Sequence, residues 1–343
     1  MTRPLRLVQV GLGDWGRDWA WRIVPAVDQV EAVAYVDSDP RAIPLLGKRL
    51  AVDGARRFPS LDGAVAATRP DALLVTTTLA GHEPLTRAGI EAGLHVLVEK
   101  PFVEDLGCAR ELVDLAASRG LTLMVSQNYR HFPAAREAAR LAREGELGDL
   151  YAVTIDFRRN DPSPPKPRRR HHHDTQPLLL DMSIHHFDLL RLVLGREPVR
   201  VRCEAVDPPW SGFSGPPAAF ASIDFEGVAV SYRGSWVSAG PITPWAGEWT
   251  MEFEHGQVWW TSRGDRGLLN DKVVIRPRRG RPKVLTLPVI DRVDRAGTLT
   301  EFATAIQQGR EPETSGRDNL HTLGFTLAAI ESARQLDLVN VAL

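Results

Sequence analysis

Short apolar runs alternate with helical periods through the first third of the chain. The runs over 5–10, 31–36, 72–76, 95–98 and 121–125 lack clean in–out alternation, as strands buried on both faces do. Gly, Pro, Asp or a capping residue bounds each one. Between them, segments such as 85–92 and 106–117 repeat apolar residues at helical spacing. Strand–helix–strand repetition predicts a parallel, doubly wound sheet.

The pattern changes after residue 125. A helix over 136–143 stops at Gly145 and Gly148, and 151–158 reads as a strand. The stretch Asp161-Pro-Ser-Pro-Pro-Lys-Pro-Arg-Arg-Arg170 suits neither helix nor strand. An apolar helix over 177–194 follows, stopped by Gly195. Then apolar and polar residues alternate: Val201 and Cys203 between Arg200, Arg202 and Glu204, and likewise over 221–225, 228–233 and 249–253. That alternation predicts an open, mostly antiparallel sheet with one buried face. Helices over 299–308 and 320–336 close the chain. The expected fold class is α/β: a doubly wound domain over 1–125 and an α+β domain over 126–343.

Composition narrows the function classes. The 343 residues carry a formal net charge of −1, with 43% hydrophobic and 25% charged residues, as two ordinary globular domains would. No run approaches the roughly 18 apolar residues of a membrane helix. The first residues lead directly into a strand-like run, so a leader peptide is not expected. Balanced charge gives no footprint for nucleic acid or an anionic membrane. Two cysteines, Cys108 and Cys203, read as buried thiols of a cytoplasmic protein.

The first strand runs into Gly11-Leu12-Gly13-Asp14-Trp15-Gly16, a G-x-G-x-x-G pattern. Gly11 allows the tight turn, Gly13 lets backbone approach a pyrophosphate, and Gly16 permits close helix packing. The N–H groups of the following helix would face the phosphates. The second strand ends at Asp37, 21 residues after Gly16, where an acid hydrogen-bonds the adenosine ribose. Together these predict a Rossmann dinucleotide site. Asp37 favours NAD, while Ser38 and Arg41 leave NADP open.

Two clusters carry candidate chemistry. Glu99-Lys100-Pro101 closes a strand at the sheet's ligand-binding edge. Lysine occurs at only five positions in this arginine-rich chain, so Lys100 suggests a need for a compact ammonium. Asp181, His185 and Asp188 are spaced to share one helix face. An imidazole between carboxylates suits proton transfer; the alternative is a capping acid and a core histidine. A metal held by His171, His172, His173, Asp174 and His185 lacks a committed geometry, and none is expected.

In that order, Gly11-x-Gly13-x-x-Gly16, Glu99-Lys100-Pro101 and Asp181-x-x-x-His185-x-x-Asp188 resemble the glucose–fructose oxidoreductase/inositol dehydrogenase/rhizopine-catabolism (Gfo/Idh/MocA) family. Thr76, Thr77 and Thr78 through His82 resemble its loop beside the nicotinamide. Ser126-Gln127-Asn128-Tyr129-Arg130 resembles the start of its second domain. The resemblance implies a second domain often used for oligomerisation, hence a homodimer or homotetramer, and a cis bond before Pro101. It implies that Lys100, Asp181 and His185 line the substrate pocket, His185 as acid/base and Asp188 as an orienting acid, with Glu99 and Lys100 also beside the cofactor. Ser183 replaces a family glycine, and Gln176-Pro177-Leu178-Leu179-Leu180 stands where the family often has glycines. The function expected is hydride transfer between a sugar, cyclitol or related polyol and NAD(P). A basic loop bearing Lys166, Arg168, Arg169 and Arg170 would suit an anionic substrate. The rival readings are a nucleotide-sensing regulatory protein, or a lyase or glycosidase using transient oxidation.

Overall fold

The computed structural model describes residues 3–47, 49–50, 53–161, 173–265 and 268–341. The Pro/Arg-rich loop from residue 162, with Lys166, Arg168, Arg169, Arg170, His171 and His172, lies outside the described residues.

The first sheet comprises β1 (Leu5–Val10), β2 (Val30–Val36), β3 (Arg57–Phe58), β4 (Ala72–Val75), β5 (His95–Glu99) and β6 (Leu123–Ser126). Its spatial order is β3-β2-β1-β4-β5-β6, and every pairing is parallel. All of β4 and all but the first residue of β5 are buried, which explains their unbroken apolar runs. Chain order reverses between β1 and β4, the switch point at whose carboxyl ends such sheets bind ligands. Helices α1 (Asp14–Asp18), α2 (Ala42–Leu46), α3 (Leu61–Thr68), α4 (Leu79–Glu91) and α5 (Leu106–Ser118) connect the strands. Asp105 caps α5 by accepting from the Cys108 N–H at 2.7 Å. Cys108 is only half-buried, unlike the expected core thiol, because it sits on the first turn of that capped helix.

The chain divides into two compact units, one of residues 1–128 with 292–320, the other of 129–291 with 321–343. Segment 292–320, read from sequence as part of the second domain, therefore groups with the first. The reason is α8 (Asp294–Gln308), whose Leu299, Phe302 and Ala303 join Leu7, Trp19 and Leu97 in one core.

The second unit holds a nine-stranded sheet. Its strands are β7 (Leu150–Arg158), β8 (Arg200–Val206), β9 (Ala218–Asp224), β10 (Ala229–Ser235), β11 (Glu248–Phe253), β12 (Gly256–Thr261), β13 (Lys272–Pro277), β14 (Lys283–Val284) and β15 (Leu338–Asn340). The order is β14-β13-β12-β11-β7-β10-β9-β8-β15, and only β7 and β10 pair in parallel. Burial alternates along β8 and β10, so one face packs while the other stays open. The inward face joins α6 (Pro133–Glu144), α7 (Ile184–Leu194) and α9 (Gly316–Gln335) in a core rich in Phe157, Phe187, Tyr232, Trp249, Trp260 and Phe325. Among the described residues, no helix is long and apolar enough to cross a membrane.

Candidate active site

The glycine loop is held from three sides. Gly11 has φ +94°, and a Cβ there would stand 2.7 Å from Thr77. A Cβ on Gly16 would fall 1.9 Å from the Gly11 carbonyl oxygen. Around Gly13 nothing lies within 4 Å of a Cβ position. Two of these glycines are thus required by the chain's own packing, while the third faces open space. The Thr76 hydroxyl donates to the Gly11 carbonyl at 2.7 Å, and the buried Gln9 amide donates to the Gly16 carbonyl at 2.7 Å. Gln9 was missed in the sequence, where it reads as one polar residue in an apolar strand.

Asp37 accepts from the Leu12 N–H at 2.7 Å and from the Asp39 N–H at 2.8 Å. Its carboxylate therefore sits against the loop at the end of β2. Arg41 is exposed and forked onto Asp39. The helix after the loop, α1, is a short turn that runs on into a π-helical segment, Trp19–Ile23. These residues fit a dinucleotide: a cradle open at Gly13, closed at Gly11 and Gly16, with Asp37 beside it for a ribose.

Glu99 is turned inward. Its Oε1 accepts from the indole N–H groups of Trp15 at 2.9 Å and Trp19 at 2.7 Å, and its Oε2 from the Lys100 N–H at 3.2 Å. The Arg295 guanidinium lies 4.0 Å from the Trp15 ring centroid and pairs with Asp18. Glu99 thus ties the glycine loop to β5 and sets the start of the Lys100 turn. Lys100 is half-buried at the carboxyl end of β5, and its bond to Pro101 is cis. His82, buried on α4, hydrogen-bonds the Pro101 carbonyl through Nδ1 at 2.8 Å. Thr78 is the N-cap of α4, and the Thr77 hydroxyl donates to the Thr78 carbonyl at 3.1 Å.

In the second unit the expected single helix over 177–194 is two pieces, a π-helical turn Leu179–Ser183 followed by α7. The half-buried Asp181 lies on the wider turn, so the i, i+4 rule for an α-helix does not place it relative to His185. His185 is 6% exposed, and its ring stacks on Tyr129 with centroids 4.0 Å apart and planes 2° from parallel. Asp188 departs from its expected role. Its carboxylate takes the Arg130 guanidinium through Nε and Nη2, both at 2.7 Å, and the Thr322 hydroxyl at 2.9 Å. Burial requires so strong a pairing, because an unmatched charge there is costly. The acid therefore anchors Arg130.

The neighbouring His186 is structural. Its Nε2 lies 3.0 Å from the Trp245 carbonyl, which can only accept, so Nε2 carries the hydrogen. Its Nδ1 then accepts from the Tyr232 hydroxyl at 3.1 Å, which accepts from the Ser183 hydroxyl at 2.8 Å. Complete burial pushes the imidazole pKa down to about 4. Ser183 is thus one end of a buried hydrogen-bond chain. Among the described residues, no group of three or more His, Cys, Asp or Glu could hold a metal ion.

A parallel sheet with an open glycine cradle at its switch point defines a dinucleotide-binding fold. Residues 5–127 match a family model described as "Oxidoreductase family, NAD-binding Rossmann fold", and residues 135–258 match the GFO/IDH/MocA C-terminal domain. The chain belongs to the GFO/IDH/MocA family of NAD-binding oxidoreductases. It is 25% identical to a D-apiose dehydrogenase of Paraburkholderia graminis, over 95% of this chain and 87% of that one. Identity to an inositol 2-dehydrogenase of Rhizobium meliloti is 26%, over 82% of this chain and 84% of that one. A similar solved structure is an inositol dehydrogenase homolog of Azotobacter vinelandii, complexed with NADH and myo-inositol. Its TM-score is 0.85 at 21% identity, covering 99% of this chain and 98% of that one.

Proposed function

We propose that the protein dehydrogenates a secondary alcohol of a sugar, cyclitol or related polyol, with Lys100, Asp181 and His185 as the reactive side chains. The observation that carries this reading is Lys100 at the carboxyl end of β5, on a turn held by Glu99 and His82. Side chains at that edge of a doubly wound sheet meet bound ligands. The names of the D-apiose and inositol dehydrogenases support the substrate class.

When bound, NAD supplies the hydride acceptor. The loop Gly11–Gly16 would hold its pyrophosphate and Asp37 its ribose, with Ser38, Thr76, Thr77 and Thr78 lining the site. His185 takes the proton of the reacting hydroxyl. The Lys100 ammonium stabilises negative charge growing on that oxygen, more in the transition state than in the neutral alcohol. Asp181 accepts a hydrogen bond from a substrate hydroxyl.

The test is a screen of sugars, sugar acids and inositols with NAD and NADP, following both substrate loss and NADH. Substrate-dependent NADH accumulation is expected. Substrate loss without net NADH would instead indicate transient oxidation, and binding of NAD with no turnover would indicate a sensor. The same reading puts a homodimer or homotetramer in the cytoplasm. Cys108 and Cys203 are both free thiols, and the open face of the second sheet offers a surface for a second copy.

A further inference from the structure

Tyr129 belongs to a sequence motif that the dehydrogenase reading leaves without a task. It sits in a 3₁₀ turn, Asn128–His131, immediately before α6. Its side chain is buried, and its ring lies flat against His185 at 4.0 Å and 2°. The Tyr129 hydroxyl accepts from Arg263 Nη1 at 3.1 Å, and the guanidinium carbon stands 4.5 Å from the ring centroid. The Arg263 backbone is itself held in place. It has φ +55°, a conformation that side chains rarely adopt. Its N–H donates to Asp271 at 3.0 Å, and its carbonyl accepts from the Trp245 N–H at 3.0 Å. The next residue, Arg130, grips Asp188, one turn along α7 from His185. Two consecutive residues therefore hold two successive turns of the helix that carries the imidazole.

We propose that Tyr129 is a positioning residue for His185, its flat ring fixing the imidazole plane while the Arg263 guanidinium packs over that ring. This rests on the reading of His185 as proton acceptor. An imidazole's lone pair and N–H both lie in the ring plane. A histidine's terminal torsion is broad when nothing opposes it, and proton transfer needs heavy atoms within hydrogen-bond reach. A flat aromatic neighbour restricts that torsion without competing for either ring nitrogen. Leucine at 129 would keep apolar bulk and lose the flat surface. Phenylalanine would keep the surface and lose only the bond from Arg263.

The experiment uses the full-length protein as Tyr129→Phe, Tyr129→Leu and His185→Ala. Kinetics are measured on the best substrate from the polyol screen, NAD affinity by titration, and the His185 ring by long-range ¹H–¹⁵N spectra. Tyr129→Leu should lower kcat by about 10- to 100-fold, the scale of a misplaced reacting group, with KM and NAD affinity nearly unchanged. Its His185 ring nitrogens should average between tautomers. Tyr129→Phe should retain most of kcat and a single tautomer. If Tyr129→Leu does not fold, Tyr129→Met replaces it. Wild-type kcat with a single tautomer in the leucine or methionine variant overturns the proposal, as do equal losses in the phenylalanine and leucine variants. If His185→Ala keeps full kcat, the proton-acceptor reading fails instead, and the spectra still decide whether Tyr129 holds the ring.

Discussion

In the proposed mechanism Lys100 and His185 serve the same reacting hydroxyl, and their variants should separate them from the cofactor. Lys100→Met keeps length and removes charge. It should lower kcat by roughly 10²–10³, as loss of one preorganised donor does, while NAD affinity by titration stays within a few-fold. His185→Ala should cost a comparable factor, and the double variant should lose less than the product of the two, because both act on one oxygen and its proton. The adjacent His186 predicts a stability effect. Its pKa is about 4 in the folded chain against an ordinary 6.5, so between those values the unfolded chain binds more protons. Stability should rise with pH across that window, be fully present above it, and be lost as pH falls towards 4, by roughly 3 kcal/mol from this group. Urea unfolding on either side of the window checks this. His186→Asn should unfold with a visibly flatter pH dependence.

At the scale of the element, the glycine loop separates two positions that its own packing requires from one that faces open space. Gly16→Ala forces a methyl against the Gly11 carbonyl and should lower the melting temperature sharply. Gly13→Ala meets no protein atom, so its melting temperature should stay close to wild type while NAD affinity falls at least ten-fold, about 1.4 kcal/mol. Equal effects of the two variants on stability would contradict this division of roles. The loop was legible because a tight turn, a close helix packing and a ligand approach each demand glycine at a fixed offset. The helix that carries His185 was less so. Its apolar spacing suggested one α-helix, but the π-helical turn Leu179–Ser183 changes the angular step just where Asp181 sits. Apolar periodicity is too coarse to register one widened turn.

For the whole molecule, the open face of the second sheet carries a surface prediction. A depression of about 710 Å³ there is lined by Thr154, Asp156, Arg202, Phe220, Arg233 and Leu336. Phe220 is 48% exposed and Leu336 67%, while Arg233 pairs with Asp156 and Arg200 with Asp224 on neighbouring strands. Apolar side chains framed by internally matched charges suit a symmetric contact. Sedimentation should show a dimer or tetramer, and Phe220→Asp should shift it towards monomer with the melting temperature of the isolated chain retained. A monomeric wild type at micromolar concentration would rule this surface out.

The sequence by itself determined the two-sheet architecture, the apolar runs of β1, β2, β4, β5 and β6, the glycine cradle and the family, while the short β3 and the strands from β12 to β15 carried no pattern read there. Each depends on short-range rules: burial periodicity, turn chemistry, and motifs whose members lie close in the chain. Only the tertiary structure decided what the polar side chains do. Glu99 turns inward to two indoles, Asp188 leaves His185 for Arg130, and α8 joins the core of the first unit. Tyr129 meets His185, 56 residues away in the chain, and Arg263 meets Tyr129 across a separation of 134. A buried charge or ring takes whichever partner the fold brings within reach, and spacing along the chain cannot rank partners that distant.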